Sequence, residues 1–530
     1  MQRVAYLLYR YREQMNADQV ILFSPNALFN QYVAQVLPEL GEENMQQTTF
    51  QAYLEHRLST EWRIEDSYDQ LEYVLTRQHD SDYFQRLESI GIKSSLVFMD
   101  ELDRYFQSLQ QKGLLFRDIN FRGQRLFQAN WIQEHFYKID QSLSTPHRLE
   151  ILIDILLKHL DIFEKEERKK NWVLEEVEQL SVEVIQSVFK RVERESDGYM
   201  DELRQEQLLR ALVVRRKLKP IRAFIQQARF LDLSMLYKDF LQNIQRQLFS
   251  NYLYFNEVID TTIQRLQNRQ LYYEDMTPYL YLKSMIEGFE VNMAIRHVLI
   301  DEAQDYSPFQ LSYILKLFPK ARFTILGDLN QAIYAHSYQS KSFQLFSSNL
   351  FDGKVETYSL TKSYRSTRQI MELANRIIQS DIEPFNRTGV KPTLIKIDNE
   401  KERCKEIIQL VKKTNANSDR KLAIICKSDQ QAYIAYKQLK EQLDVTYVKK
   451  DTTEVSNSVI VTPAYLAKGM EYDHVIVYDA SSDSYAEEKD RNMIYITCTR
   501  AMHTLHLFYQ GELSSLLPDQ ESGLYMTNFN

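Results

Sequence analysis

The sequence predicts an α/β protein: two parallel-sheet domains, the first opened by a long all-helical insertion. Three observations carry this reading. Short β-branched runs alternate with helical stretches from His297 onward. Residues 52–287 instead show 3.6-residue periodicity with charge on the opposite face. A break near residues 347–354 separates two groups of strands. A chain of 530 residues is too long for one core, and its 44% apolar and 26% charged content excludes a disordered chain.

Residues 1–14, apolar at 4, 7 and 8, predict a helix already under way, because Met1 and Gln2 are poor N-caps. A strand over Val20–Phe23 follows, then Ser24-Pro25-Asn26 and a helix running to Leu37. That is a β-α unit without the strand and loop expected ahead of it. Within 52–287 the longest helical stretches are 149–170 and 172–194, and all three tryptophans fall in this region. Its basic run, Arg210, Arg215, Arg216, Lys217, Lys219 and Arg222, suits a solvated helix face or a contact with nucleic acid or an acidic protein. Strands are then predicted at His297–Ile300, 322–326, 392–397, 421–426, 458–462, 474–478 and 504–509. The resulting division is 1–51 with 288–346, the insertion 52–287, and 350–530.

Composition excludes several classes. The 12 glycines, about 2% of the chain against a usual ~7%, are never closer than ten positions, so no G-x-G-x-x-G or G-x-x-x-x-G-K-[ST] loop exists in these residues. A net charge of −8 confines any phosphate contact to a local groove. Cys404, Cys426 and Cys498 lie too far apart in sequence for a C-x-x-C zinc site or a disulfide framework. No apolar run approaches a membrane span and no signal-peptide pattern opens the chain, so a reducing, cytoplasmic setting without a membrane partner is expected.

The chemistry centres on Asp301-Glu302-Ala303-Gln304-Asp305, directly after the strand His297–Ile300. Parallel sheets bind ligands at the carboxyl ends of their strands. Nucleotide hydrolysis there needs one carboxylate for Mg²⁺, assigned to Asp301, and one to orient or deprotonate water, assigned to Glu302. Alone, the pentapeptide also suits a solvated helix start. A second strand end, Gly327-Asp328-Leu329-Asn330-Gln331-Ala332-Ile333-Tyr334, offers Gln331 to sense a γ-phosphate or position water and Tyr334 to stack a base; in isolation it also suits a plain turn. Arg365, in Tyr364-Arg365-Ser366-Thr367, and Arg500, in Tyr495-Ile496-Thr497-Cys498-Thr499-Arg500-Ala501, each supply a planar fork suited to a transferring phosphate. Between them, Pro463-Ala464-Tyr465-Leu466-Ala467-Lys468-Gly469-Met470-Glu471-Tyr472-Asp473 carries one glycine and a Glu able to reach a ribose hydroxyl.

In this order the boxes resemble those of UvrD/Rep-like superfamily 1 helicases, from the first residue to about Tyr509. Ser24-Pro25-Asn26 resembles motif Ia and Thr48-Thr49-Phe50 the start of motif Ib. Asp301–Asp305 resembles motif II, Gly327–Tyr334 motif III, Tyr364–Thr367 motif IV, Lys468–Tyr472 motif V and Tyr495–Ala501 motif VI. The resemblance implies two RecA-like domains and an ATP- and Mg²⁺-dependent helicase moving 3′→5′ on single-stranded DNA. It implies catalytic roles for Glu302, Gln331, Arg365 and Arg500. Nucleotide contacts would fall to Asp301, Gly469 and Glu471, and strand contacts to Ser24, Pro25, Asn26, Thr49, Phe50, Tyr334 and Tyr465. Pro463 and Tyr465 depart from the threonine and histidine of UvrD-like motif V. With Asp473, Thr497–Arg500, Gly511-Glu512-Leu513 and the long insertion, they resemble the HelD (helicase IV-like) family, which implies RNA polymerase as an alternative partner.

The family's Walker A loop precedes a helix similar to Gln2-Arg3-Val4-Ala5-Tyr6, so the chain is expected to be truncated just after that loop. The 530 residues by themselves are then expected to bind ATP weakly, because loop amides and a loop lysine supply most phosphate binding. Titration with a fluorescent ATP analogue checks this; micromolar, Mg²⁺-dependent binding would contradict it.

Overall fold

The structure, a computed structural model, describes residues 6, 9–11, 15–26, 29–30, 34, 38, 44–195, 202–338, 355–415, 420–452 and 458–528. The helix predicted over 1–14, the helix running to Leu37 and the break near 347–354 lie largely or wholly outside the described residues.

Two parallel sheets carry the candidate site. The smaller has four strands in the order Gln46–Thr48, Val20–Phe23, His297–Ile300 and Arg322–Ile325. Its two inner strands are buried along their whole length, which is why they read as continuous apolar runs. Arg322–Ile325, at one edge, stays partly exposed. The register pairs Phe23 with Ile300 and Ile300 with Ile325. The strands therefore end together, and the segments beginning at Ser24, Thr49, Asp301 and Leu326 leave the sheet along one edge.

The larger sheet has seven parallel strands, in the order Thr446–Tyr447, Val459–Pro463, Leu422–Cys426, Tyr472–Val477, Ala501–Gln510, Thr393–Ile397 and Met526–Asn528. Both faces are covered. Along Leu422–Cys426, Leu422, Ile424 and Cys426 join one apolar cluster while Ala423 and Ile425 join the other. Ile424 is fully buried at the centre, so Ile424→Ala is expected to cost about 2–5 kcal/mol, read from the shift of a urea unfolding midpoint. Gln46–Thr48, Thr446–Tyr447 and Met526–Asn528 have no counterpart among the predicted strands, since two or three residues are too few for a periodic pattern to register.

The described chain packs as two units. One comprises Met1–Phe98, Leu248–Thr277 and Val291–Asn530; the other comprises Met99–Gln247 and Pro278–Glu290. The stretch 52–287 is thus shared between them, with 52–98 and 248–277 grouped with the sheets. Nor is it all-helical. A hairpin pairs Ile119–Phe121 with Gln124–Phe127 through Arg122 and Gly123, both at positive φ, and Arg63–Ile64 pairs with Gln270–Leu271. The helix predicted over 172–194 is two helices, Asn171–Glu178 and Val182–Glu195. The Ser181 carbonyl starts the second by accepting the N–H groups of Val184 and Ile185. The basic run on the helix Glu202–Gln226 is largely paired inside its own unit: Arg210 with Glu206, Arg215 with Glu164, Lys217 with Glu176, and Arg222 with Asp161. That pairing favours a solvated, charge-neutralised helix face.

A buried histidine, His336, and a half-buried one, His506, set an acid limit on the sheet-bearing unit. Burial holds both His336 and His506 down to about 4. The unfolded chain, titrating near 6.5, takes up these protons first as pH falls. Stability is therefore complete above about pH 6.5 and is lost towards pH 4, by on the order of 3 kcal/mol for His336. Urea unfolding at pH 7 and pH 5 checks the sign; equal midpoints would contradict it.

Candidate active site and strand cleft

The acidic box begins where His297–Ile300 ends. Glu302 sits in the left-handed region at φ 49°, a strained conformation for a non-glycine residue that turns the chain sharply after the strand. Its N–H donates to Asp301 Oδ1 at 3.0 Å. Burial raises the Asp301 carboxyl above its usual value, with the Glu302 charge adding to the effect. Among the described residues no cluster of three or more ligating side chains gathers around a metal position. A single carboxylate does fit Mg²⁺ carried on nucleotide phosphates, because that ion keeps most of its water and phosphate ligands.

Lys468, one residue before Gly469, is the hub of the site, and no role for it follows from the sequence alone. Its side chain is 2% exposed. The ammonium donates to both Asp305 oxygens at 2.7 and 2.8 Å and to the Gln331 carbonyl at 2.6 Å, and stands 3.5 Å from Glu302 Oε2. Burial pushes Glu302 up, yet Lys468, Arg500 and a 2.6 Å bond from Gln304 outweigh it and hold the carboxyl below its ordinary value. Asp305 is raised, since burial exceeds the pull of Lys468. Gln304 also accepts the Asp328 N–H at 2.9 Å, which ties the first box to the second.

The arginine side closes the same network. Arg500 is fully buried and donates to the carbonyls of Ile496 and Met470 and to Gln331 Oε1, the last at 3.0 Å. Burial, reinforced by Arg365, lowers it to about 10. Gln331 in turn donates to Asp328 Oδ2 at 2.8 Å. Arg365 and Glu471 pair with each other at 2.6 Å, both side chains more than a third exposed. The structure thus brings Gln331 and Arg500 into direct contact and links Glu302 to them through Lys468, with Arg365 and Glu471 paired to each other.

Six of the seven predicted strand contacts line one cleft, and Tyr465 lies outside its lining. A cleft of about 220 Å³ is bordered by Ser24, Pro25, Asn26, Thr49, Phe50 and Tyr334, with Glu302 and Asp305 on its wall. Most of these groups also hold structure. Thr49 caps the helix Phe50–Leu58 by accepting the Ala52 N–H, and Phe50 packs against Tyr53 and Tyr306. Asn26 donates to the Lys468 carbonyl at 3.2 Å. Gly469, at φ +81°, lets that loop approach: a Cβ there would stand 3.3 Å from the Phe29 ring and 3.5 Å from Pro25. Tyr334 is 9% exposed and stacks on His336; Tyr465 is 5% exposed, stacks on Tyr68 and donates to Glu72. The cleft is acidic, with Glu55, Asp66, Glu302, Asp305 and Asp451 against Lys450.

Residues 103–350 match the family described as the UvrD/REP helicase N-terminal domain, and residues 458–508 the family described as the UvrD-like helicase C-terminal domain. Over 155 residues the chain is 30% identical to the ATP-dependent DNA helicase Rep of Buchnera aphidicola, spanning 27% of this chain and 23% of that protein. Over 85 residues it is 39% identical to the ATP-dependent DNA helicase UvrD2 of Mycobacterium tuberculosis, 16% of this chain and 12% of the relative. The match thus spans under a quarter of either relative. Among solved structures, the C-terminal domain of a possible DNA helicase from Lactobacillus plantarum is similar at 34% identity, with 32% of this chain covered, 99% of that one, and a TM-score of 0.28. Among the described residues no helix is long and apolar enough to cross a membrane. With parallel sheets beneath these motifs and both matches falling on the chain, UvrD/Rep-like superfamily 1 helicase domains are present in this protein.

Proposed function

We propose that this chain supplies the hydrolytic and strand-binding parts of an ATP-driven helicase or translocase of the UvrD/Rep class, acting on single-stranded DNA. The observation that carries the proposal is the position of Gln331. Its side chain bonds Arg500, while its backbone carbonyl takes the ammonium of Lys468, the same group that neutralises Asp305 beside Glu302. One residue therefore touches the arginine and the lysine that flank the water-activating carboxylate. A change in the phosphate position sensed at Arg500 would reach the cleft loop Asp328–Tyr334 through this residue.

In this reading Asp301 would hold Mg²⁺, which neutralises phosphate charge when bound. Glu302, kept ionised by Lys468 and Arg500, accepts the proton of the attacking water. Arg365 leaves Glu471 to meet a phosphate oxygen, and Glu471 is then free for a ribose hydroxyl. Because the 530 residues contain no glycine-rich phosphate loop, turnover is tested on the chain extended ahead of Met1 by a strand and a G-x-x-x-x-G-K-[ST] loop. Mg²⁺-dependent phosphate release above that of the Glu302→Gln variant supports the proposal; equal rates contradict it.

A second reading, an RNA-polymerase recycling factor of HelD type acting through protein contacts, is favoured by one observation. Tyr465 is committed to Glu72, and the cleft that holds the other predicted strand contacts sets five carboxylates against one lysine, an environment that repels a phosphate backbone. Capture of purified RNA polymerase with no affinity for forked DNA would select it; the reverse pattern selects the helicase.

A further inference from the structure

The helix Ser67–Thr76 brings its own acidic groups to three anion-binding features of the larger sheet's domain. Glu72 accepts the N–H of Asp429 at 2.9 Å and of Gln430 at 3.1 Å, the open N-terminal turn of the helix Asp429–Leu439. It also accepts the Tyr465 hydroxyl at 3.1 Å. Asp66 and Asp69 both pair with Lys450, Asp69 at 2.9 Å. On the same helix, Tyr68 lies over the Tyr465 ring at 5.7 Å and donates to the Pro25 carbonyl at 3.1 Å, tying the helix to the smaller sheet as well.

Asp66 caps the helix, and Asp69 and Glu72 lie on it three residues apart, about 4.5 Å along the axis, so the cap and the helix together present three carboxylates. Their partners are backbone amides at a helix N-terminus, a lysine ammonium and a tyrosine hydroxyl. Proteins use this donor set for phosphate oxygens. Asp66, Ser67 and Tyr68 also line the cleft that holds the predicted strand contacts. A solvated acidic helix would leave such groups in water. Here they are spent on one surface of the larger sheet's domain, and Asp66 adds its charge to the cleft's acidic wall.

We propose that the helix Ser67–Thr76 is an autoinhibitory strap: its carboxylates occupy the surface that the phosphates of a single-stranded nucleic acid take when the strand binds. The inference rests on the nucleic-acid reading above and adds that the strand must displace the strap. Release would free the amides of Asp429 and Gln430, the Lys450 ammonium and the Tyr465 hydroxyl together, and would open the cleft beside Tyr334.

The test is fluorescence anisotropy with a labelled oligothymidylate over a salt series, comparing the full chain with the Asp69→Asn/Glu72→Gln double variant. Asp66 is left intact because it caps the strap, accepting the Asp69 N–H at 2.7 Å. The double variant is expected to bind about tenfold more tightly and with a steeper salt dependence, and adding Lys450→Met should remove much of the gain. Equal affinity and salt slope in both proteins overturn the strap and leave the strand-binding reading standing. No binding by either folded protein overturns both. Should the double variant fail to fold, zero-length carbodiimide crosslinking of Lys450 to Asp66 or Asp69 in the wild type decides. The yield is expected to fall several-fold on saturation with the oligonucleotide, and an unchanged yield overturns the strap.

Discussion

Lys468→Met is expected to destabilise the sheet-bearing unit by about 3–5 kcal/mol, the range for a buried ion pair that loses one partner. The lysine side chain is 2% exposed and those of Asp305 and Glu302 are 14% and 16% exposed, so water cannot replace the ammonium. Removing it leaves two carboxyls facing each other and the Gln331 carbonyl without its donor. A urea titration gives the loss directly. Asp305→Asn in the Lys468→Met background should recover part of it, because the uncompensated charge is then gone. A loss below about 1 kcal/mol would mean that the pair behaves as a solvated surface bridge.

Arg500→Lys is expected to slow ATP turnover of the loop-extended chain by about 10³-fold, the lower end for losing an arginine that meets transition-state charge. Lysine keeps the positive charge but has no planar fork, so it cannot hold the Ile496 and Met470 carbonyls and Gln331 Oε1 together. Steady-state phosphate release beside a thermal melt separates the chemistry from folding. A rate within a factor of about ten of wild type would assign Arg500 to holding the loop alone.

Much of the sheet architecture was legible in the sequence. Leu422–Cys426 and His297–Ile300 announce themselves because a parallel strand covered on both faces is a bare apolar run. Asp301 and Glu302 were equally visible, being contiguous at the end of such a strand. Lys468 was not: its partner Asp305 lies 163 positions away, and one lysine before a glycine carries no local sign of burial. Glu72 was hidden for the same reason, since its role exists only through contacts with Asp429, Gln430 and Tyr465. Tyr334 and Tyr465 show the converse. Their motif positions suggest open rings for bases, whereas packing leaves them 9% and 5% exposed. The packing boundary at Phe98 and Leu248 also leaves no mark in the sequence, because helical periodicity runs on through it.

The most direct measurement is steady-state phosphate release by the loop-extended chain, with and without oligothymidylate, beside its Glu302→Gln variant. The account predicts Mg²⁺-dependent release that single-stranded DNA stimulates, with a loss of about 10²–10⁴-fold on replacing Glu302, the span of a positioned general base. Turnover that ignores DNA, or a Glu302→Gln variant as fast as its parent, would contradict it.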